Sequence, residues 1–183
     1  MQLISDEYKK VLETTHENNP SWGSTGNAWA QNIITLTEGL KSQDVLDYGC
    51  GKGHLARQLP FKINQYDPCI PKHSELPKPA KLVVCLDVME HIEPENIDNV
   101  LDHIKSLTIS LAFFVISTVP AKQVLSDGRN AHLVVEGAEW WLSKLWPRFE
   151  VYNFNNTPNA LIVSAGNKEV AMNARLKALQ SKS

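Results

Sequence analysis

The hydrophobic pattern of the chain alternates short apolar runs with segments in which apolar residues recur at helical spacing. The strongest run lies within residues 81–87 and is typical of a strand buried on both faces of a sheet. Shorter runs predict strands at 45–46 and 110–117, and the segment after Pro94 predicts a helix with one apolar face. This alternation of strands and helices is typical of an α/β fold with a mostly parallel sheet.

The two ends of the chain depart from this alternation. Ahead of the first strand the pattern predicts two helices, and residues 149–154 and 160–165 predict an antiparallel hairpin. No internal repeat or shift of composition separates these parts, so one domain is expected. We expect residues 1–183 to contain an N-terminal helical segment at 1–40, an α/β core at 41–167 and a helical tail at 168–183.

Composition narrows the possible partners. The 183 residues are 43% hydrophobic, which is enough for one sizeable core, and carry a formal net charge of −2. Basic residues are scattered among 20 acidic ones, which argues against a nucleic-acid partner without excluding one. No apolar run approaches a membrane span and no signal sequence is recognisable, so we expect a cytoplasmic monomer or homodimer with three reduced cysteines.

The segment from Asp44 to Gly53 is the first candidate for binding chemistry. Gly49, Gly51 and Gly53 follow a short strand at every second position. A backbone of this kind can turn sharply and approach a ligand where no side chain intervenes. The dinucleotide fingerprint would require its third glycine at position 54, where this chain has His54, so a hydride-transfer enzyme is disfavoured.

A second candidate is the acid that ends the next predicted strand, residues 61–67. Asp67 falls twenty residues after Asp47. In a βαβ unit an acid at this spacing accepts hydrogen bonds from ribose hydroxyls of a bound nucleotide. The alternative is a solvated turn acid before Pro68.

Together these residues resemble the class I S-adenosylmethionine-dependent methyltransferases. The first motif of that family is hydrophobic-hydrophobic-acid-x-Gly-x-Gly-x-Gly, which is matched by Val45, Leu46, Asp47, Gly49, Gly51 and Gly53. The segment 87–92, Asp-Val-Met-Glu-His-Ile, is similar to the Asp-Val-Leu-Glu-His-Ile segment of many members. In those members the segment lies at the methionine end of the cofactor and faces the methyl acceptor.

The resemblance implies a three-layer, Rossmann-like and mostly parallel sheet that ends in a C-terminal antiparallel hairpin. Four prolines within residues 68–80 replace the helix and third strand that the family usually has there, so we expect the sheet to be trimmed at the third-strand edge. Residues 1–40 would form a lid over the cofactor. Trp22 is expected to contact the cofactor from this lid, with a core aromatic residue as the alternative.

The resemblance further implies S-adenosylmethionine as cofactor, with a methyl group passing to an oxygen or nitrogen. The near-neutral charge suits a small-molecule or saccharide acceptor best. The expected cofactor-binding residues are Trp22, Asp47, Gly49, Cys50, Gly51, Gly53, Asp67, Pro68, Leu86, Asp87 and Val88.

The acceptor site is predicted from the loops after the third and fourth strands of the core. Glu90, His91 and His132 are the expected catalytic residues, since the two imidazoles are the available bases near neutral pH. Arg129 and Asn130 lie in the same long connection as His132 and are further candidates, with a plain Asp-Gly turn as the alternative.

Two other functions stay open at this point. Asp87, Glu90 and His91 have a spacing that resembles metal-dependent methyltransferases acting on the terminal ribose of small RNAs, in which a further histidine, here His132, completes the site. An RNA-terminus or nucleotide 2'-O-methyltransferase with a divalent metal is therefore one alternative, although metal-free relatives share this segment. A module that binds S-adenosylmethionine without catalysis is the other alternative.

Overall fold

A computed structural model describes residues 2–168 of the chain apart from positions 20, 21 and 24. Within this part the strands are β1 (Val45–Tyr48), β2 (Asn64–Tyr66), β3 (Ala80–Leu86), β4 (Thr108–Ser117), β5 (Phe149–Asn156) and β6 (Ala160–Asn167). The α-helices are α1 (Asp6–Asn18), α2 (Ala30–Leu40), α3 (His54–Gln58), α4 (Ile97–Leu107) and α5 (Ala138–Leu145). The predicted tail lies outside the described residues from position 169 onward.

All six strands belong to one sheet in the order β2-β1-β3-β4-β6-β5. The first four strands in this order are mutually parallel, while β6 runs antiparallel to both β4 and β5. The hairpin of β5 and β6 therefore attaches through its second strand. This topology confirms the predicted mostly parallel sheet with a C-terminal antiparallel hairpin.

Helices cover both faces of the sheet. On one face, α4 and α5 bury apolar residues such as Leu101 and Trp141 against the strands. On the other face, α2 and α3 contribute Ile33 and Leu55 to a second apolar cluster. Neighbouring positions of the central strands β3 and β4 alternate between the two clusters, as period-two geometry requires. The fold is therefore the predicted three-layer arrangement.

The sheet ends at β2, which agrees with the trimmed edge predicted from the prolines within residues 68–80. This strand has three residues, and the following segment to Pro79 contains a single 3₁₀ turn, Pro71–His73, and no strand. Proline removes backbone donors and clashes within a helix, so this stretch forms a connection rather than another βα unit. Among the described residues, no helix is both long and apolar enough to cross a membrane.

Candidate functional site

A cavity of about 550 Å³ opens at the carboxyl-terminal edge of the parallel strands. Its walls come from the loops that follow β1, β2, β3 and β4, and α1 covers it from one side. Ligands of open α/β sheets bind at this edge, because successive loops converge there. The volume lies within the range of small-molecule and cofactor sites.

The glycine loop after β1 forms one wall of the cavity. The N–H groups of Gly49 and Cys50 both donate to the carbonyl of Tyr66, at 2.8 and 3.0 Å, which ties the loop to β2. Gly49 has a φ of 77°, and a Cβ added there would overlap the Val88 side chain. Only glycine permits this turn and the close approach of Val88.

Asp67 fixes the glycine loop from the neighbouring strand. Its Oδ2 accepts a hydrogen bond from the N–H of Gly51, and its Oδ1 accepts one from the N–H of Cys69, both at 2.9 Å. Only 7% of its surface is exposed, and it lines the cavity. Asp67 is therefore a buried link between two loops and not a solvated turn acid.

Asp47 adds a second carboxyl group to the same end of the cavity. Only 4% of its surface is exposed. Burial, and to a lesser degree the nearby Asp67 carboxylate, raises the pKa of Asp47 to about 7. Two acidic groups in one buried wall favour a ligand that carries positive charge.

The predicted cofactor-binding residues converge on this cavity with one exception. Trp22, Pro68, Leu86 and Asp87 line it together with the residues of the glycine loop and both acids. Gly53 does not line it and instead precedes α3 as a left-handed capping residue. Cys50 and Cys69 also line the cavity, and burial raises the pKa of both thiols, so neither is a reactive thiolate at neutral pH.

The side of α1 that faces the cavity was not predicted from the sequence. Tyr8, Leu12 and His16 recur every fourth residue and line the cavity along one stripe of the helix. Trp22 follows this stripe and packs against His16, with ring centroids 6.3 Å apart, and against His91 at 5.4 Å. The four-residue spacing was the available signal, and Trp22 is both buried and part of the cavity wall.

Glu90, His91 and His132, called the histidine cluster below, meet on the side of the cavity that the loops after β3 and β4 form. One ligand atom from each residue lies within 4.8 Å of the others. The Nδ1 atoms of His91 and His132 lie 2.6 Å from the carbonyl oxygens of Ala131 and Val119. A carbonyl only accepts, so each Nδ1 carries the proton and each Nε2 keeps its lone pair.

Glu90 is the most buried member of the histidine cluster, with 0% of its surface exposed. Its Oε1 accepts a hydrogen bond from the N–H of Ser117 at 3.0 Å, whereas its Oε2 has no partner within the described part of the chain. Burial, and then the charge of Asp87, raises the pKa of Glu90 to about 8. Burial lowers the pKa of His91 to about 4, so its imidazole is neutral at pH 7.

Three other predicted residues lie outside the histidine cluster. Arg129 pairs with Asp127 and stacks over the ring of Tyr8, 5.0 Å from its centroid, while the side-chain amide of Asn130 bonds to both backbone groups of Ala121. Neither Arg129 nor Asn130 lines the cavity, and both stabilise the loop after β4. Asp87 lines the cavity but does not belong to the three-residue cluster.

The same loop adds two unpredicted residues to the cavity wall. Lys122 and Gln123 line the cavity together with His132. They follow Pro120 in a segment without helical or strand periodicity, so the sequence offered no pattern that marked them.

Comparison with known proteins agrees with this geometry. Residues 21–156, about three quarters of the chain, match a protein family described as a methyltransferase domain. No curated protein matches the chain.

Several solved structures share the fold. A 1,6-didemethyltoxoflavin-N1-methyltransferase from Burkholderia thailandensis, with bound 1,6-didemethyltoxoflavin and S-adenosylhomocysteine, is 19% identical; the match covers 91% of this chain and 92% of that one, with a TM-score of 0.58. The N-methyltransferase NodS from Bradyrhizobium japonicum, in complex with S-adenosylhomocysteine, is 13% identical over 89% of this chain and 100% of that one, with a TM-score of 0.58. A magnesium protoporphyrin IX methyltransferase from Synechocystis, with bound S-adenosylmethionine, is 15% identical over 92% of this chain and 100% of that one, with a TM-score of 0.53.

Proposed function

The chain belongs to the methyltransferase domain family, and we propose that it transfers a methyl group from S-adenosylmethionine to an oxygen or nitrogen of a small-molecule or saccharide acceptor. One observation carries this proposal. A single cavity joins the glycine loop and Asp67 at one end to the histidine cluster at the other. A methyl donor and an acceptor can therefore be held side by side in one cavity, which is the main requirement of the reaction.

The residues at the glycine-loop end fit the donor. S-adenosylmethionine supplies an electrophilic methyl group on a positively charged sulfur and also carries a ribose diol. Each oxygen of Asp67 uses one backbone N–H and retains a lone pair for a ribose hydroxyl. The acidic groups of Asp47 and Asp67 complement the positive charge of the donor. The bare backbone of Gly49 and Gly51 leaves room beside them.

The opposite end of the cavity suits the acceptor. Methyl transfer to a hydroxyl requires a group that takes up its proton or weakens the bond to it, in addition to an in-line approach. The histidine cluster supplies two imidazoles with free Nε2 lone pairs and one buried carboxyl group. A module that only binds S-adenosylmethionine would not need this arrangement, so the structure favours catalysis.

The N-terminal helical segment acts as the lid of this site. Tyr8, Leu12, His16 and Trp22 form one wall of the cavity, and we expect this wall to reduce the access of water to a bound ligand. Exclusion of water strengthens the electrostatic interactions of a reacting pair and protects the donor from side reactions. The lid also limits the size of the acceptor, which supports a small molecule over a protein or a folded nucleic acid.

Charge and similarity support a small acceptor as well. The formal net charge of −2 argues against a partner with a phosphate backbone. Two of the structurally similar proteins act, by their names, on 1,6-didemethyltoxoflavin and on magnesium protoporphyrin IX, which are small molecules. These names support the acceptor class and leave the individual acceptor open to experiment.

The proposal is tested by following the methyl group. The purified protein is incubated with methyl-labelled S-adenosylmethionine and a cell extract, and the label is then counted in low-molecular-mass, protein and nucleic-acid fractions. We expect the label in the low-molecular-mass fraction, and much less of it with the Asp67→Ala variant. Label confined to the protein or nucleic-acid fraction would contradict the acceptor class, and no transfer into any fraction would contradict catalysis.

A further inference from the structure

We propose that Glu90, His91 and His132 together bind one divalent metal ion, which holds and activates a hydroxyl group of the acceptor. This inference rests on the proposed methyl transfer and specifies how the acceptor end of the cavity works. It narrows the acceptor to a hydroxylated molecule, and most favourably to one with a second oxygen on the adjacent carbon. Such a pair of oxygens can occupy two positions on one ion.

The first observation is the convergence of three different donors. One carboxylate and two imidazoles, contributed by the turn after β3 and by the loop after β4, bring their ligand atoms within 4.8 Å of one another. Three donors at roughly 2.1 Å from a common ion lie about 3 to 4 Å apart, so small side-chain rotations complete the site. The sequence separation of 41 residues between His91 and His132 shows that the fold, and not a local turn, creates the cluster.

The second observation is the orientation of both imidazoles. Each Nδ1 donates to a backbone carbonyl, of Ala131 for His91 and of Val119 for His132, and both distances are 2.6 Å. Hydrogen bonds of this kind fix the tautomer and the ring plane of metal-binding histidines. Both Nε2 atoms are therefore left with lone pairs, and an ion between them would use both.

The third observation is the unpartnered oxygen of Glu90. The side chain is fully buried, yet Oε2 has no hydrogen-bond partner among the described residues. A buried carboxyl oxygen without a partner is costly, and a cation that displaces the carboxyl proton is the partner that suits it best. Oε1 is held by the N–H of Ser117, which directs the carboxyl group towards the cavity.

The donor set limits the identity of the ion. Two imidazole nitrogens with one carboxylate oxygen suit zinc, manganese or ferrous iron better than calcium or magnesium, which prefer oxygen ligands throughout. Three protein donors leave positions open for other ligands. The histidine cluster lines the cavity, so an acceptor there can reach those positions.

The ion would replace an imidazole as the activating group. It lowers the pKa of the acceptor hydroxyl, whose proton passes to water. The oxygen then donates an electron pair to the methyl carbon, while the carbon–sulfur bond breaks and its electron pair stays on sulfur. The products are a methyl ether, S-adenosylhomocysteine and a hydrated proton, so no oxidant or further reactant is required.

Manganese binding tests this proposal without an acceptor. Free Mn²⁺ gives a sharp paramagnetic resonance signal that broadens on binding, so a titration of metal-free protein counts bound ions. The variants are Glu90→Gln, which keeps an acceptor for Ser117, and His132→Asn, which keeps a donor for Val119. His54→Ala is the matched control, because His54 lies outside the cavity. S-adenosylhomocysteine binding is measured in every sample.

We expect one Mn²⁺ per wild-type chain, and at least roughly tenfold weaker binding in Glu90→Gln and His132→Asn. His54→Ala should bind Mn²⁺ as the wild type does, and all variants should retain S-adenosylhomocysteine binding. Absence of saturable Mn²⁺ binding, or Mn²⁺ affinity in both cluster variants equal to that of the wild type, overturns the metal site. Retained S-adenosylhomocysteine binding in the same samples upholds the donor site. If the wild type does not bind S-adenosylhomocysteine, that result would instead contradict the proposed function.

Discussion

The folded structure disfavours the ionised form of the Asp47 side chain. It is almost fully buried, and burial followed by the charge of Asp67 raises its pKa from 3.8 to about 7. Between these two pH values the folded protein binds a proton that the unfolded chain has released. The free energy of unfolding contributed by this residue therefore falls as the pH rises through this window, and the loss is complete above it.

Asp47→Asn removes this pH-dependent cost and keeps the size of the side chain. We expect the variant to be more stable than the wild type at pH 8, by up to a few kcal/mol at roughly 1.4 kcal/mol per pKa unit, and to lose this advantage near pH 4. Urea unfolding without ligand at the two pH values measures the difference. The exposed Glu75→Gln serves as control. An equal unfolding free energy of Asp47→Asn and wild type at both pH values would refute this account.

At the residue scale, the sequence predicted the site residues whose partners lie nearby in the sequence. Gly49 and Asp67 belong to one βαβ unit, in which spacing fixes their relation. Tyr8 and His16 were not identified, because their place in the cavity depends on how α1 packs across the loops. The hydrogen bonds that orient His91 and His132 depend on the path of the loop after β4, which no local pattern encodes.

At the scale of elements, α1 is held to the core by a small number of polar contacts. Both carboxylate oxygens of Glu93 accept hydrogen bonds from Ser5, at 2.8 Å from its N–H and 2.6 Å from its hydroxyl. The hydroxyl of Tyr8 donates to the carbonyl of His91 at 2.9 Å. Ser5 also caps α1 by accepting from the N–H of Tyr8. These hydrogen bonds lie at the first turn of α1, next to an apolar cluster in which Tyr8 and Trp22 pack against Leu125 and Ala131.

Glu93→Ala should loosen this anchor, because Ser5 and Asn96 lose a buried acceptor. We expect amide hydrogen exchange in α1 to speed up by roughly tenfold, which corresponds to about 1.4 kcal/mol, while exchange in β3 and β4 stays unchanged. Exchange followed by mass spectrometry measures this. Glu95→Ala is the control, since Glu95 is exposed in the adjacent 3₁₀ turn. Wild-type exchange rates in α1 of Glu93→Ala would show that the lid is anchored elsewhere.

The sequence predicted most elements because their hydrophobic periods are strong. The inward residues of α4 and the run of β3 are fully buried, as their patterns indicated. The weak strand β2 was recognisable mainly from the acid that follows it, since two of its three residues are exposed or half-buried. The sequence did not predict which strand of the hairpin pairs with β4. The structure shows that β6, and not β5, does so, and this pairing depends on tertiary packing that neither strand sequence encodes.

At the scale of the whole molecule, the function follows from the topology of the sheet. Four parallel strands end at the same edge, and the loop after each of them reaches the cavity. The order of the strands in the sheet determines which loops, and therefore which side chains, lie next to one another along the cavity wall. The β1 and β2 loops form the proposed donor site, while the β3 and β4 loops bring the histidine cluster together. The sequence predicted these parts separately, and only the fold shows that they share one space.

Binding of S-adenosylhomocysteine, measured by titration calorimetry, tests the central claim most directly. We predict one site per chain for the wild type, no binding of NAD, and at least roughly tenfold weaker S-adenosylhomocysteine binding by Asp67→Ala, which loses the ribose acceptor and the link to Gly51. Asn64→Ala, an exposed position on β2, should bind as the wild type does. Binding of NAD in place of S-adenosylhomocysteine, or equal S-adenosylhomocysteine affinity of Asp67→Ala and wild type, would contradict the account.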